Sequence, residues 1–330
     1  MNALTVAPTC TAPAVATRQS ALVAAWLRHL EAAAASGEVQ PGTVATYRGA
    51  VARWLDYLAN VAGTDAPTPA TVAAYVAALR PTRKAATVAS LLAAVRALYR
   101  WAEAEGAYAD VGRAARGPRV RKDEPLPALA HAEVAALLRS VAGDGLAARR
   151  DRALVAMLYG SAVRCCSLER ARVGDVDVQA GTLRHRPKGH GDRDAVVPLP
   201  AGALRALADY LAARGTVDDA APLFDAAGNR RRAAGLTTRS MRRRVLALME
   251  SAGRVRRDAA GRVVNGGHYG PHSLRRSALT RAADVAGLEA AQTLAGHASI
   301  ETTRRFYVRV QRARHLAAVV GALDLDGVPA

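Results

Sequence analysis

Three features of the sequence predict a mainly α protein with one small antiparallel β-sheet, built as two domains. The 330 residues suffice for two domains of about 100–200 residues each. Apolar residues recur at helical spacing over most of the length. Segments with β-prone, turn-bounded character are confined to one stretch, 173–199.

Taken in order, residues 1–17 lack an early positive cluster and are broken by Pro8 and Pro13, so a disordered tail is expected there, not a signal peptide. Residues 18–105 read as a helical bundle. Leu22, Trp26, Leu27 and Leu30 fall on one face of a first helix. After Thr43, the set Val44, Tyr47, Val51, Trp54, Leu55 and Leu58 follows i, i+3, i+4, i+7 spacing. Thr71 opens a short helix through Val72, Tyr75 and Leu79 that Pro81 ends, and Leu91, Leu92, Val95, Leu98 and Tyr99 follow Ser90. Four or five helices packed as a bundle result. Residues 106–128 read as a basic linker: Gly106, Gly112, Gly117, Pro118, Pro125 and Pro127 punctuate it, and Arg113, Arg116, Arg119, Arg121 and Lys122 charge it. Such a linker suits a clamp around DNA, or is a solvated tether.

The second domain, 129–330, opens with helices at 131–141 and 150–160. Short strands follow at Val173–Val178, Thr182–Arg186 and Ala195–Leu199, then helices at about 201–213, 237–252, 274–286 and 288–295. One more apolar helix, Leu316 to Leu323, precedes the acidic end. No uninterrupted apolar run reaches the about 18 residues a spanning helix needs, so no membrane partner is expected.

Charge narrows the function. Lys plus Arg number 46 against 28 acidic residues, a net charge of +18, which argues against a neutral metabolic enzyme and for a polyanion partner. The stretch 230–262 holds 11 Arg against Glu250 and Asp258, so half the net charge sits in a small part of the chain. Only Lys84, Lys122 and Lys188 are lysines. The three cysteines, Cys10, Cys165 and Cys166, form neither a disulfide framework nor a zinc-ligand spacing, which fits a reducing, cytoplasmic setting and predicts no metal.

Four segments of the second domain point to one chemistry. They are Tyr159-Gly160-Ser161-Ala162-Val163-Arg164; Lys188-Gly189-His190-Gly191 ahead of Val196-Val197-Pro198-Leu199; His272-Ser273-Leu274-Arg275-Arg276; and Leu294-Ala295-Gly296-His297-Ala298-Ser299-Ile300-Glu301-Thr302-Thr303, followed by Tyr307. In this order and spacing they resemble the tyrosine recombinase (phage integrase) family. The resemblance covers about 130–310 through these motifs, and 18–105 through a helical pattern like the family's core-binding domain. It implies an α+β catalytic domain and a site-specific recombinase that cleaves and rejoins double-stranded DNA through a 3′-phosphotyrosyl link. It also implies a homotetramer on paired sites and no need for metal, ATP or another cofactor.

The residue types suit that chemistry. Planar guanidinium forks hold the non-bridging oxygens of a phosphodiester bidentately, and Arg164 and Arg275 are the candidates. The family places a general acid at Lys188, between two strands; a lysine can give up a proton where an arginine does not. His272 lies three residues before Arg275, on the same face of a helix beginning there, and the family uses it as proton acceptor or hydrogen-bond partner. The resemblance assigns His297 a hydrogen bond to a phosphate oxygen and Tyr307 the role of nucleophile.

Two departures stand out. The family nucleophile usually lies nine residues after the motif His; here the ninth residue is Phe306 and Tyr307 is the tenth, a rotation of about 100° on a helix. Either the loop absorbs the extra residue and Tyr307 attacks, or the chain is a catalytically inactive, sequence-specific DNA-binding protein of the same fold. Second, Cys165, Cys166 and Ser167 follow Arg164 where the family often has a small residue, Ser and Glu, leaving Glu169 as a substitute to orient the arginine; the Cys pair reads as helix packing or as a redox switch. For DNA contacts, Arg239, Arg242 and Arg243 share one helix face after Arg230, Arg231 and Arg232, and Arg48, Arg53, Arg83 and Lys84 give a basic surface on the first domain.

Overall fold

A computed structural model describes residues 17–120, 128–187, 194–226, 235–261, 263–264 and 269–296. The chain divides into two units, at residues 123 and 124. No helix among the described residues is long and apolar enough to cross a membrane.

Among the described residues the regular elements of the first unit are helices: α1 (Thr17–Ala35), α2 (Pro41–Tyr57), α3 (Pro69–Leu79) and α4 (Ala85–Ala104), with one π-helical turn, Leu58–Ala62, extending α2. Pro at the first position of α2 and α3 explains their starts, since a missing N–H costs nothing there. Thr68 caps α3, accepting from the Thr71 N–H while the Thr71 hydroxyl accepts from the Thr68 N–H. The helix therefore starts at 69, where periodicity alone placed its start at 71. Likewise α4 begins at Ala85, because the Ala-rich run before Ser90 extends the helix without adding to its apolar stripe.

The core of this unit centres on Trp54, fully buried, whose indole N–H donates to the Tyr99 hydroxyl at 2.9 Å. Tyr99 donates in turn to Gln19 Oε1 at 2.8 Å, and Gln19 Nε2 donates to the Asp65 carbonyl at 2.9 Å. Residues 107–115, expected within the linker, pack onto this bundle instead. Val111 and Ala115 are buried, Arg96 on α4 donates to the carbonyls of Gly112 and Ala115, and the Tyr108 hydroxyl donates to the Pro67 carbonyl.

The second unit contains α5 (His131–Arg139), α6 (Leu146–Gly160), α7 (Cys165–Arg170), β1 (Val176–Asp177), β2 (Thr182–His185), β3 (Ala195–Pro198), α8 (Ala201–Arg214), α9 (Thr238–Ser251) and α10 (Pro271–Ala295). The sheet is antiparallel in the order β1-β2-β3, with Leu183 opposite Val176 on one side and Val197 on the other. Where a strand was expected from Val173, a 3₁₀ turn occupies Val173–Asp175. Asp175 Oδ2 accepts from the Arg172 N–H, and the Gly174 N–H reaches the Asp219 carbonyl, so only two residues are left to pair.

Helix α6 is the hub. Ala153, Leu154, Val155, Met157 and Leu158 are all fully buried, and α8, α9, α10 and α5 pack around it. The run 153–158, apolar and buried on every face, makes α6 a central helix. A polar network ties its start to α8 and α9. Tyr210 donates to Asp225 Oδ1 at 3.0 Å, and Arg214 pairs with the same carboxylate at 3.5 Å. Buried Arg150 and, from α9, Arg244 both pair with Asp151 at 3.2 Å. The expected break between 286 and 288 is a kink inside α10 at Gly287, whose φ of 87° suits glycine.

Candidate active site

The site is built where α6 ends. Gly160 lies so close to Pro200 and Ala203 that a Cβ there would stand 2.8 Å from the Pro200 ring. The Ser161 hydroxyl donates to the Met157 carbonyl at 2.6 Å and accepts from the Val163 N–H at 3.3 Å. Between them, Ala162 takes a left-handed φ of 52°, a conformation that costs an L-residue about 1–2 kcal/mol. Its carbonyl accepts from Arg275 Nη1. The turn then delivers Arg164, half-buried, to the N-cap of α7.

Arg275 is the fifth residue of α10. Pro271 starts that helix, the Ser273 hydroxyl accepts from the Gly270 N–H and donates to the Gly270 carbonyl, and Ser277 accepts from the Leu129 N–H at 2.6 Å. Arg275 is 6% exposed, and its guanidinium spans two segments, donating to Ala162 and, at 2.7 Å, to the Ala295 carbonyl at the far end of the same helix. One side chain thus fixes both the turn before Arg164 and the segment that leads to His297.

Arg275 senses the charge of Arg164. Burial, and then the charge of Arg164, bring the Arg275 pKa down to about 10, so it remains charged at neutral pH. Among the described residues no carboxylate forms an ion pair with Arg164. His272 is exposed on one side, yet partial burial of its ring and the charges of Arg275, Arg276 and Arg164 hold its pKa below the usual imidazole value. It is neutral at pH 7 and able to accept a proton. Two guanidiniums and a neutral imidazole gathered in one place make a seat for an anion.

The structure brings in a residue that sequence reasoning missed. His185, the last residue of β2, is half-buried with Nδ1 closed to solvent and without a hydrogen-bond partner among the described residues. Burial and the charges of Arg275 and Arg164 hold its pKa down, with Asp194 opposing. Strand alternation was the available signal: His185 shares the inward face with Leu183 two residues earlier.

Lys188, His297, Phe306 and Tyr307 lie outside the described residues, as do Arg230, Arg231, Arg232, the helix expected at Leu316–Leu323 and the N-terminal tail. On α9, Arg239, Arg242 and Arg243 are exposed, while Arg244 turns inward to Asp151. In the first unit Arg48 is exposed and pairs with Glu31, and Arg83 and Lys84 are exposed in the turn before α4. Glu169 does not stand in for the family carboxylate: it accepts a hydrogen bond from Thr238 at the start of α9, which draws it to that helix. Burial pushes the Cys165 thiol up to about 12, with Cys166 and Glu169 adding to the shift, so Cys165 is a protonated packing thiol and not a reactive one.

Comparison with known proteins places this geometry. Residues 127–314 match the phage integrase family, and residues 23–106 match the phage integrase N-terminal SAM-like domain. The tyrosine recombinase XerD of Mycobacterium leprae is 35% identical over 249 residues, 71% of this chain and 73% of that protein. The tyrosine recombinase XerA of Pyrococcus furiosus is 30% identical over 243 residues, 73% of this chain and 77% of that protein. In fold, the chain is similar to a lambda integrase dimer bound to a core site, with TM-score 0.67 and 18% identity over 89% of this chain and 96% of that one. It is also similar to the XerH site-specific recombinase in a post-cleavage complex with its palindromic difH substrate, with TM-score 0.65 and 19% identity over 89% and 84%.

Proposed function

The chain belongs to the phage integrase family of tyrosine recombinases and is a site-specific DNA recombinase, and from that premise we propose how its own residues cleave and rejoin DNA. The Tyr307 hydroxyl attacks the scissile phosphorus, forming a 3′-phosphotyrosyl bond as the bond to the 5′ oxygen breaks. Neutral His272 takes the phenol proton, and Lys188 gives a proton to the departing 5′ oxygen. Arg164 and Arg275 hold the non-bridging oxygens, joined by His297. The phosphotyrosyl link conserves the energy of the broken bond, so a 5′ hydroxyl rejoins the strand by the reverse step.

The observation that carries this reading is the pairing of like charges at Arg164 and Arg275, with no carboxylate ion-paired to Arg164 among the described residues. Two cations held together are unfavourable until an anion lies between them, and a phosphodiester supplies it. Incubation with a nicked suicide site tests the reading: a covalent protein–DNA adduct is expected, and its absence overturns the catalytic role.

Lys188 has its own test. Lys188→Ala is expected to slow cleavage of ordinary DNA about 10²–10⁴-fold. A substrate with sulfur at the 5′-bridging position leaves without a proton, so on it the variant should approach the parent. Equal losses on both substrates would assign Lys188 to positioning.

DNA contacts extend to Arg239, Arg242 and Arg243 on α9 and, from the first unit, to Arg48, Arg83 and Lys84, with residues 18–105 acting as the core-binding domain. Because phosphate contacts release counterions, Arg242→Ala with Arg243→Ala should lower affinity and flatten the log–log salt dependence by about 1 per side chain. An unchanged slope in binding isotherms places them off the DNA. The working assembly is a homotetramer on two paired sites in the cytoplasm, which sizing of the synaptic complex on paired duplexes tests.

A further inference from the structure

His185 has an unusual environment for a strand residue. Its ring closes β2, half-buried, with Nδ1 inside and unpartnered among the described residues. The charged groups around it come from three elements: Arg275 from α10, Arg164 from the cap of α7, and Asp194 from just before β3. Of its two sequence neighbours, Arg184 is paired with Asp175, and Arg186 with Asp194. The position is also fixed. Helix α7 packs on β2, and the Ser167 hydroxyl donates to the Arg186 carbonyl at 3.0 Å, tying the strand end to the helix that Arg164 caps.

The unpartnered Nδ1 decides the tautomer. A buried N–H with no acceptor is less favourable than a buried lone pair with no donor. The neutral ring therefore keeps Nδ1 bare and carries its proton on Nε2, the nitrogen farther from the backbone. That makes His185 a hydrogen-bond donor beside two guanidiniums, with no acceptor for it among the described residues.

We propose that His185 is a further substrate-binding residue of the phosphate site, its Nε2–H donating to a non-bridging oxygen of the scissile phosphate next to Arg164 and Arg275. The proposal rests on the recombinase reading above and adds a donor that the four motif segments do not contain. The bond strengthens as charge builds on that oxygen in the transition state, so it acts on the rate of cleavage more than on DNA affinity.

The test uses the full chain, nicked suicide duplexes, and the same duplexes with a methylphosphonate at the scissile position, one diastereomer at a time. Each diastereomer lacks one of the two non-bridging oxygens. His185→Phe is expected to slow single-turnover adduct formation on the phosphate at least about tenfold, with affinity changed less than about twofold. On the single diastereomer that lacks the contacted oxygen, the same substitution should change the rate less than about twofold, because the bond is already gone. His185→Gln, whose amide reaches the position of Nε2, should stay within about threefold of the parent on the phosphate. A His185→Phe chain that cleaves the phosphate like the parent overturns the proposal, and so does an equal loss on the phosphate and on both diastereomers. If His185→Phe melts before the assay temperature, His185→Gln decides: near-parental rates with the parental diastereomer preference support the contact, and a loss that ignores the diastereomer overturns it. A parent chain that forms no adduct overturns the recombinase reading and the proposal with it, whereas a parent that cleaves while His185→Phe matches it overturns the proposal alone.

Discussion

Arg275→Ala is expected to lower the rate of strand cleavage about 10²–10³-fold, the usual loss when a preorganised donor is removed from developing oxyanion charge. It should also lower stability, because the carbonyls of Ala162 and Ala295 lose the donors that now satisfy them, at about 1–3 kcal/mol for each acceptor left unpaired in the interior. The two effects separate by measurement. Thermal melting reads the strut between the α6–α7 turn and the end of α10, and single-turnover adduct formation well below the melting temperature reads the phosphate contact. Arg275→Lys keeps a charge but not the planar fork, so it should recover only a small part of either. A variant that melts early yet cleaves at the parental rate would make Arg275 a structural residue alone.

Much of this site was legible before any fold was drawn. The segments around Arg164 and around His272 and Arg275 announce themselves by residue type and order, and the helical spacing of His272 and Arg275 follows from Pro271 starting α10. Helices α3 and α4 were found at their cores and misplaced at their starts, where Thr68 capping and an Ala-rich run decide the boundary. Residues 107–115 were read as tether because Gly and Arg dominate them. What holds them is Arg96 on α4, a partner no local pattern reveals. The same limit applies to Glu169, whose partner Thr238 lies 69 residues away. His185 sits between two arginines in sequence and reads as one more polar strand residue; only the convergence of β2, α7 and α10 gives it a role.

Tyr307→Phe is expected to abolish the covalent adduct while leaving DNA affinity within about twofold, since it removes one hydroxyl and no charge. The sequence gives this variant a partner. Phe306 stands at the family's usual spacing from His297, and Tyr307 one residue beyond. If the segment between His297 and Tyr307 absorbs the additional residue, Phe306→Tyr adds nothing to the parental rate, and Phe306→Tyr with Tyr307→Phe stays inactive. If residue 306 occupies the nucleophile's place, the parent forms no adduct and Phe306→Tyr creates one. Adduct yield on the suicide duplex, read by denaturing gel for the four chains together, distinguishes the two arrangements.

The central claim, that this chain cleaves DNA through Tyr307, is tested most directly by trapping the parent on a nicked suicide duplex, digesting protein and DNA, and mapping the nucleotide-bearing peptide by mass spectrometry. A 3′-phosphonucleotide on Tyr307 is the result predicted; a modified residue at any other position, or no modified peptide from a chain that binds the duplex, would contradict it.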